Sequence, residues 1–336
     1  MSPGPPGVAP ATPAVLRVRV DEGGDGQRLD NFLLKLLKGV PKTHVYRVIR
    51  SGEVRVNKGR AAADTRLAMG DEVRVPPVRV ADRSAEPPAP AREFPVVFED
   101  EHLIAVDKPA GVAVHGGSGV AFGVIEQLRR ARPEARFLEL VHRLDKETSG
   151  LLLVAKKRSA LTALQDQFRG RETGKTYAAL VPGAWPANRK VIDVPLHKYL
   201  TAEGERRVRT VAPPAGAGRR ADGEDGAEGR RSITLVRVER AFAAFTLLDV
   251  TIKTGRTHQI RVHLAHEGHP IAGDAKYGDF TLNKALARGD AVPGHRFDRM
   301  FLHARRLRFE HPATGQPVEL ESPLPAECRA LLDALP

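Results

Sequence analysis

The chain of 336 residues holds a single cysteine, Cys328. A lone thiol excludes an internal disulfide and any Cys-x-x-Cys metal site, so the fold needs no oxidising compartment. No stretch approaches the roughly 18–20 consecutive apolar residues of a membrane span. The N-terminus lacks the basic-then-apolar pattern of a secretory leader. A soluble, cytoplasmic protein without a membrane partner is expected. Acidic residues are also in short supply. Lys and Arg number 53 against 41 Asp and Glu, a formal charge of +12 that asks for a polyanionic partner.

That excess is uneven. Between Arg28 and Arg79 stand twelve Lys/Arg and five Asp/Glu, so this stretch, under a sixth of the chain, is the electrostatic handle. Residues 1–15, rich in Pro, Ala, Gly and Val, read as a disordered tail. Residues 16–80 then form a small block. Leu29, Phe32, Leu33, Leu36 and Leu37 keep the spacing of an amphipathic helix that Gly39 ends. A second helix begins near Thr43, turns Val45, Val48 and Ile49 inward, and stops at Ser51-Gly52. Lys42, Arg47 and Arg50 lie on or beside it and point away from the core. Val54-Arg55-Val56, the turn Asn57-Lys58-Gly59 and Glu72 to Val75 predict a small hairpin. Residues 81–95, with three prolines in five positions, read as an extended linker.

Residues 96–335 form the larger block, with an α+β pattern. Strands are predicted at 96–98, 103–106, 151–155, 176–181, 233–238, 245–252 and 307–309. Helices are predicted at 122–130, 161–168 and 257–267. Strands adjoining without helices between them favour a mixed, largely antiparallel sheet. Residues 212–230 have no periodicity and read as a disordered insertion.

The run Val141-His142-Arg143-Leu144-Asp145-Lys146-Glu147-Thr148-Ser149-Gly150-Leu151-Leu152 sets a carboxylate among cations and hydroxyls, between two apolar segments expected to be buried strands. A charged cluster wedged there is costly unless its charges are paired and used. The run resembles the catalytic motif of the RluA/RluC family of pseudouridine synthases. Four further segments match that family: Asp107 to Gly111 with Val114 to Gly119, Gly174 to Leu180, Thr254 to His263, and Gly268 to Gly278. The small block, through Arg28-Leu29-Asp30 and Gly52 to Asn57, resembles the S4 RNA-binding domain. The likeness spans nearly the whole chain after residue 15; from Gly26 to Arg79 and from Val114 to Lys157 it is closest to the RluC branch, whose members modify uridines of bacterial large-subunit ribosomal RNA. The chain departs from that branch at the 212–230 insertion.

The resemblance implies a pseudouridine synthase catalytic fold with a central cleft, preceded by an S4-like α/β domain. It implies isomerisation of uridines in 23S ribosomal RNA or its large-subunit precursor, by a monomer with no protein partner. The base is detached from C1′, turned and rejoined through C5. Nothing is oxidised and no group is donated, so no cofactor is implied. Asp145 would attack C1′ or take the 2′-proton, which requires it ionised. Arg261 would hold it in that form. Tyr177 would stack on the base and help take the C5 proton. Arg143 would fill the place of the extruded base. Lys42, Arg47, Arg50, Arg55, His115, His258 and Lys276 would contact RNA. Leu152 and Ile260 would wall the site, and Gly255 would permit a tight turn into the helix bearing Arg261.

His258, His263, His266 and His269 invite a metal reading, but no cysteine and few carboxylates adjoin them, so no metal is expected. Two rival readings are a noncatalytic RNA-binding or ribosome-assembly factor and a hydrolase using Asp145 as nucleophile. Asp145, Tyr177 and Arg261 together argue against the first; the want of a metal set or oxyanion motif argues against the second.

Overall fold

Period-two alternation sorts valine from arginine in the first part of the chain. The structure, a computed structural model, describes residues 14–37, 39–78, 89–117, 120–202, 205–211 and 229–336. The chain falls into two units, residues 1–88 and 89–336. The first is built from β1 (Leu16–Arg19), α1 (Leu29–Leu36), α2 (Lys42–Arg50), β2 (Arg55–Val56), β3 (Gly59–Arg60) and β4 (Glu72–Val75). The strands form one antiparallel sheet in the order β1-β4-β2-β3. Val73 and Val75 pack inward with Leu29 and Leu33 of α1 and Val45, Val48 and Ile49 of α2. The opposite register carries Arg17, Arg74, Arg55 and Arg60, each directly across from the next. Like charges paired across strands repel; Arg17 is offset by Glu72 at 3.0 Å, and Arg74 and Arg60 donate to the carbonyls of Glu53 and Ser51. Asn57 and Lys58 both have positive φ, 51° and 68°, as a two-residue hairpin turn twisted to match its strands requires.

The strand β1 was not anticipated; its Leu-Arg-Val-Arg is largely exposed and adjoins the Pro/Ala-rich tail. Most of the expected linker and of the 212–230 insertion, and residues 1–13, lie outside the described residues. Residues 89–95, also expected as linker, belong to the second unit, where Phe94 is buried in the core.

The second unit runs β5 (Val96–Glu99), β6 (Leu103–Lys108), α3 (Val124–Ala131), β7 (Glu139–Leu140), β8 (Ser149–Ala155), α4 (Arg158–Gly170), β9 (Gly174–Pro182), β10 (Val191–Asp193), β11 (Leu196–Leu200), β12 (Arg206–Thr210), β13 (Ile233–Ala241), β14 (Phe245–Ile252), α5 (Gln259–His266), α6 (Phe280–Arg288), β15 (Leu302–Glu310), β16 (Pro317–Glu321) and α7 (Ala326–Ala334). The expected α+β fold, with a mixed and largely antiparallel sheet, is what forms. Its main sheet runs β10-β13-β14-β9-β15-β8-β6-β5, with β16 beside β15 and β7 beside β8. Strand β8 is buried throughout. Leu151 and Leu153 face α4, while Leu152 and Val154 face the core that α3, α5 and α7 cover. Sheets covered on both faces read as continuous apolar runs, which is why residues 151–155 show no alternation. Each such side chain contributes about 1.5–3 kcal/mol of burial.

The only parallel pairing in the described sheet, β8 with β15, is two residues long: His303 opposite Ser149 and Ala304 opposite Gly150. Gly150 has φ +108°, and a Cβ there would lie 2.3 Å from the Ala304 carbonyl oxygen. Only glycine fits. Beyond this contact β15 turns to β16 while β8 continues with β7. The segment between β7 and β8 therefore occupies the place where the sheet divides.

Candidate active site

Asp145 stands in the segment joining β7 to β8, and three contacts fix that segment. The Thr148 amide donates to the Asp145 carbonyl at 3.1 Å. The buried Lys108 ammonium donates to the carbonyl of Lys146 at 3.0 Å, and to those of Pro109 and Val112. The Leu153 amide donates to His142 Nε2 at 3.1 Å. Burial pushes the His142 imidazole down to about 3, with the Lys175 charge adding to the effect. The ring is therefore neutral and free to accept. The segment before it is strand-like only at Glu139–Leu140, shorter than the buried strand expected.

Helix α5 brings Arg261 to the carboxylate. Arg261 Nη1 lies 3.4 Å from Asp145 Oδ2. Its firmer hold is on Asp274, with Nε to Oδ2 at 2.7 Å and Nη2 to Oδ1 at 2.8 Å. Asp274 is fully buried and also accepts from the amides of Lys276 and Tyr277. Gly273 before it has φ +78°, and a Cβ would lie 1.8 Å from the Arg299 carbonyl oxygen, so glycine is what lets this loop close. Burial works against the charged guanidinium, but the hydrogen bonds and charge of Asp274, joined by Asp145, outweigh it and raise the Arg261 pKa. Burial likewise opposes the Asp274 anion, and Arg261 more than offsets it.

The tight turn into α5 is made by His258, with φ +53°, and not by Gly255, whose φ is unexceptional. His258 Nδ1 lies 2.8 Å from the Tyr277 hydroxyl, and Nε2 lies 3.9 Å from Asp145 Oδ2. Burial lowers its pKa despite the pull of Asp145. Gln259 is a buried hub, bonded to Thr254, Ile233, Thr234 and the Arg256 amide.

Asp145, Arg261 and Tyr177 all line one cavity of about 510 Å³, together with Arg143, His115 and His258. Tyr177 is 9% exposed. Burial, and then the Asp145 charge, raise its pKa, so the phenol keeps its proton. Arg143 is exposed at this cavity and, among the described residues, has no carboxylate partner.

A family model described as RNA pseudouridylate synthase matches residues 102–266, and one described as S4 domain matches residues 27–73. Ribosomal large subunit pseudouridine synthase C of Escherichia coli K12 is 47% identical over 330 residues, covering 96% of this chain and 98% of that protein. The protein of the same name from Yersinia pestis is 49% identical over 329 residues, 96% of each. This chain belongs to the RNA pseudouridylate synthase family. Two human structures share its fold. RNA Pseudouridylate Synthase Domain Containing 4 has a TM-score of 0.56 at 25% identity, over 71% of this chain and 92% of that one. RNA Pseudouridylate Synthase Domain Containing 1 has a TM-score of 0.54 at 27% identity, over 72% and 88%.

Within this synthase several expected contacts fall elsewhere. Lys276 is tied to Glu205 at 2.6 Å and donates to the Arg206 carbonyl, so it anchors β12 and does not line the cavity. Leu152 is core; the apolar walls are Leu140, Val141, Leu144, Ile252, Ile260 and Leu302. His263 bonds Thr234 and the Val194 carbonyl, His266 faces Thr210, and His269 bonds the Pro182 carbonyl. The four histidines thus serve four separate neighbourhoods. Lys42, Arg47 and Arg50 are exposed on α2, and Arg55 is half-buried in the arginine row. Sequence reasoning missed Asp274, Gln259, His142 and Lys108 as supports. A buried partner for Arg261 was the one signal to seek, since an arginine on a core helix requires a carboxylate.

Proposed function

We propose that this synthase isomerises uridines of 23S ribosomal RNA, or of its large-subunit precursor, to pseudouridine. The substrate class rests on the relatives named above, which cover nearly the whole chain. The observation that carries the chemistry is the Asp145 carboxylate facing Arg261 in the cavity that Tyr177 lines.

An extruded uridine enters with its base against the Tyr177 ring and its C1′ toward Asp145. Arg261 offers the carboxylate a cation clamped from behind by Asp274, which aims Asp145 to attack C1′ or take the 2′-proton. The Tyr177 hydroxyl is protonated, so a part in removing the C5 proton requires it to pass its own proton on. Removing the base from its stack costs a few kcal/mol, and the guanidinium of Arg143 offsets this by filling the gap. The reaction changes no oxidation state and transfers no outside group, so the chain's own residues suffice.

Binding begins on the N-terminal unit. Lys42, Arg47 and Arg50 on α2, with the row of Arg17, Arg74, Arg55 and Arg60, supply a phosphate-tracking surface. His115 and His258 meet RNA at the cavity. The enzyme works as a monomer in the cytoplasm, where ribosomal RNA is made; among the described residues no helix is long and apolar enough to cross a membrane. Mapping pseudouridine in 23S RNA from cells with and without the protein tests this reading. Specific sites should vanish in its absence, and an unchanged map would contradict it.

A further inference from the structure

Lys175 precedes Tyr177 by two residues on β9, so the two side chains rise from one face of the strand, roughly 7 Å apart along it. Both line the cavity. Lys175 is only 8% exposed. Yet among the described residues its ammonium meets no carboxylate and no carbonyl; its contact is the ring of Phe168, 5.3 Å to the centroid. The other buried lysine, Lys108, gives all three N–H donors to carbonyls. A buried cation with no partner is held at a cost unless something arrives to meet it.

The charged and titratable groups around Lys175 are Arg171, which follows α4, neutral His142 on the Asp145 segment, and Tyr177 on its own strand. Burial lowers the Lys175 pKa, and Arg171 lowers it further. Among the described residues no acid compensates. Phe168, beside Lys175, lines the cavity with Leu140, Val141 and Gln165. Apolar and aromatic walls suit the faces of a planar base. A phosphate there would give up its hydration for one cation.

We propose that Lys175 is a catalytic residue: its ammonium donates a hydrogen bond to a carbonyl oxygen of the extruded uracil and stabilises the charge that the base gains as its bond to the sugar breaks. This rests on the uridine-isomerising reading above. When N1–C1′ breaks, both electrons stay with the ring, spread over N1, O2 and O4. C1′ is made whole by a bond to an Asp145 oxygen, or by loss of the 2′-proton to Asp145. After the base turns, C5 supplies the pair for the new C5–C1′ bond, and Asp145 departs or returns the proton. The C5 proton then leaves to solvent and N1 takes one up. Lys175 keeps its own proton throughout.

The test compares the wild-type chain with Lys175→Met in single-turnover tritium release from 5-tritiated uridine in a large-subunit RNA transcript. The substitution should slow release by about 100-fold or more, as removal of one donor to a developing anion does. RNA affinity should stay within about threefold, and Tm should not fall, because an unpaired buried charge has been removed. The wild-type rate should also fall at alkaline pH as the ammonium loses its proton, at a pH below the ordinary lysine value of 10.5; Lys175→Met should lack that loss. A variant within about threefold of the wild-type rate overturns the proposal. So does a preserved rate with weaker binding and a salt slope shallower by about 0.7–0.9, the mark of a phosphate contact. A lowered Tm with intact pH dependence would make Lys175 structural. If the wild-type chain itself releases no tritium, the uridine reading falls and this proposal with it.

Discussion

Asp274 holds Arg261 in a two-pronged grip at 2.7 and 2.8 Å, and that grip presents the guanidinium to Asp145 at 3.4 Å. A carboxylate outside the cavity thus orients the cation that faces Asp145 within it. Asp274→Asn should leave the chain folded but slow tritium release by about 100-fold, the scale of loss when a reacting group is displaced by about 1 Å. Asp274→Ala strands a buried guanidinium and should cost about 3–5 kcal/mol in urea unfolding. Wild-type turnover in Asp274→Asn would show that Arg261 needs no such support.

Tyr177 separates into a ring and a hydroxyl. Tyr177→Phe should bind RNA within about threefold of wild type and turn over poorly, whereas Tyr177→Leu should lose binding as well, base–aromatic stacking being worth about 1–3 kcal/mol. Burial raises its pKa, so no change in rate below pH 10 should come from ionisation of this phenol. Unchanged turnover in Tyr177→Phe would make the hydroxyl idle.

Lys42, Arg47 and Arg50 are exposed on α2. Replacing all three with Gln should lower the slope of log affinity against log salt by about 2–3, at about 0.7–0.9 per lost phosphate contact. The rate of bound RNA should not change. An unaltered slope in filter-binding titrations would mean that this helix does not touch RNA.

Lys108 is fully buried, and burial pulls its pKa down to about 7 from 10.5, though Glu147 pushes the other way. Between those values the folded chain holds fewer protons than the unfolded one, so this group's contribution to stability rises with pH across that window. Urea midpoints measured from pH 7 to 10 should show a smaller rise in Lys108→Met than in wild type. Parallel curves would mean that the three carbonyls keep the ammonium charged.

Much of this site could be read from the chain itself, and the limits are physical. Asp145, Tyr177 and Arg261 sit in three separate motifs, and the sheet that gathers them is written in apolar runs such as residues 151–155. Asp274 lies within the Gly268 to Gly278 motif, but nothing in Gly-Asp-Ala-Lys says which side chain turns inward. Lys276 is basic and adjoins the cleft in sequence, yet Glu205 claims it, and an ion pair between distant residues leaves no local trace. Gly255 looked like the turn residue, whereas His258 takes the left-handed conformation. The helix α6 escaped notice because only Leu286 is buried in it; it starts from the Asp279 cap, not from an apolar stripe.

Tritium release from 5-tritiated uridine in large-subunit RNA, followed for wild type and Asp145→Asn, tests the central claim most directly. Wild type should release one tritium per pseudouridine formed without cutting the RNA, while Asp145→Asn should bind the same RNA equally well and release none. Release by Asp145→Asn at the wild-type rate, or cleavage of the chain in place of release, would contradict it.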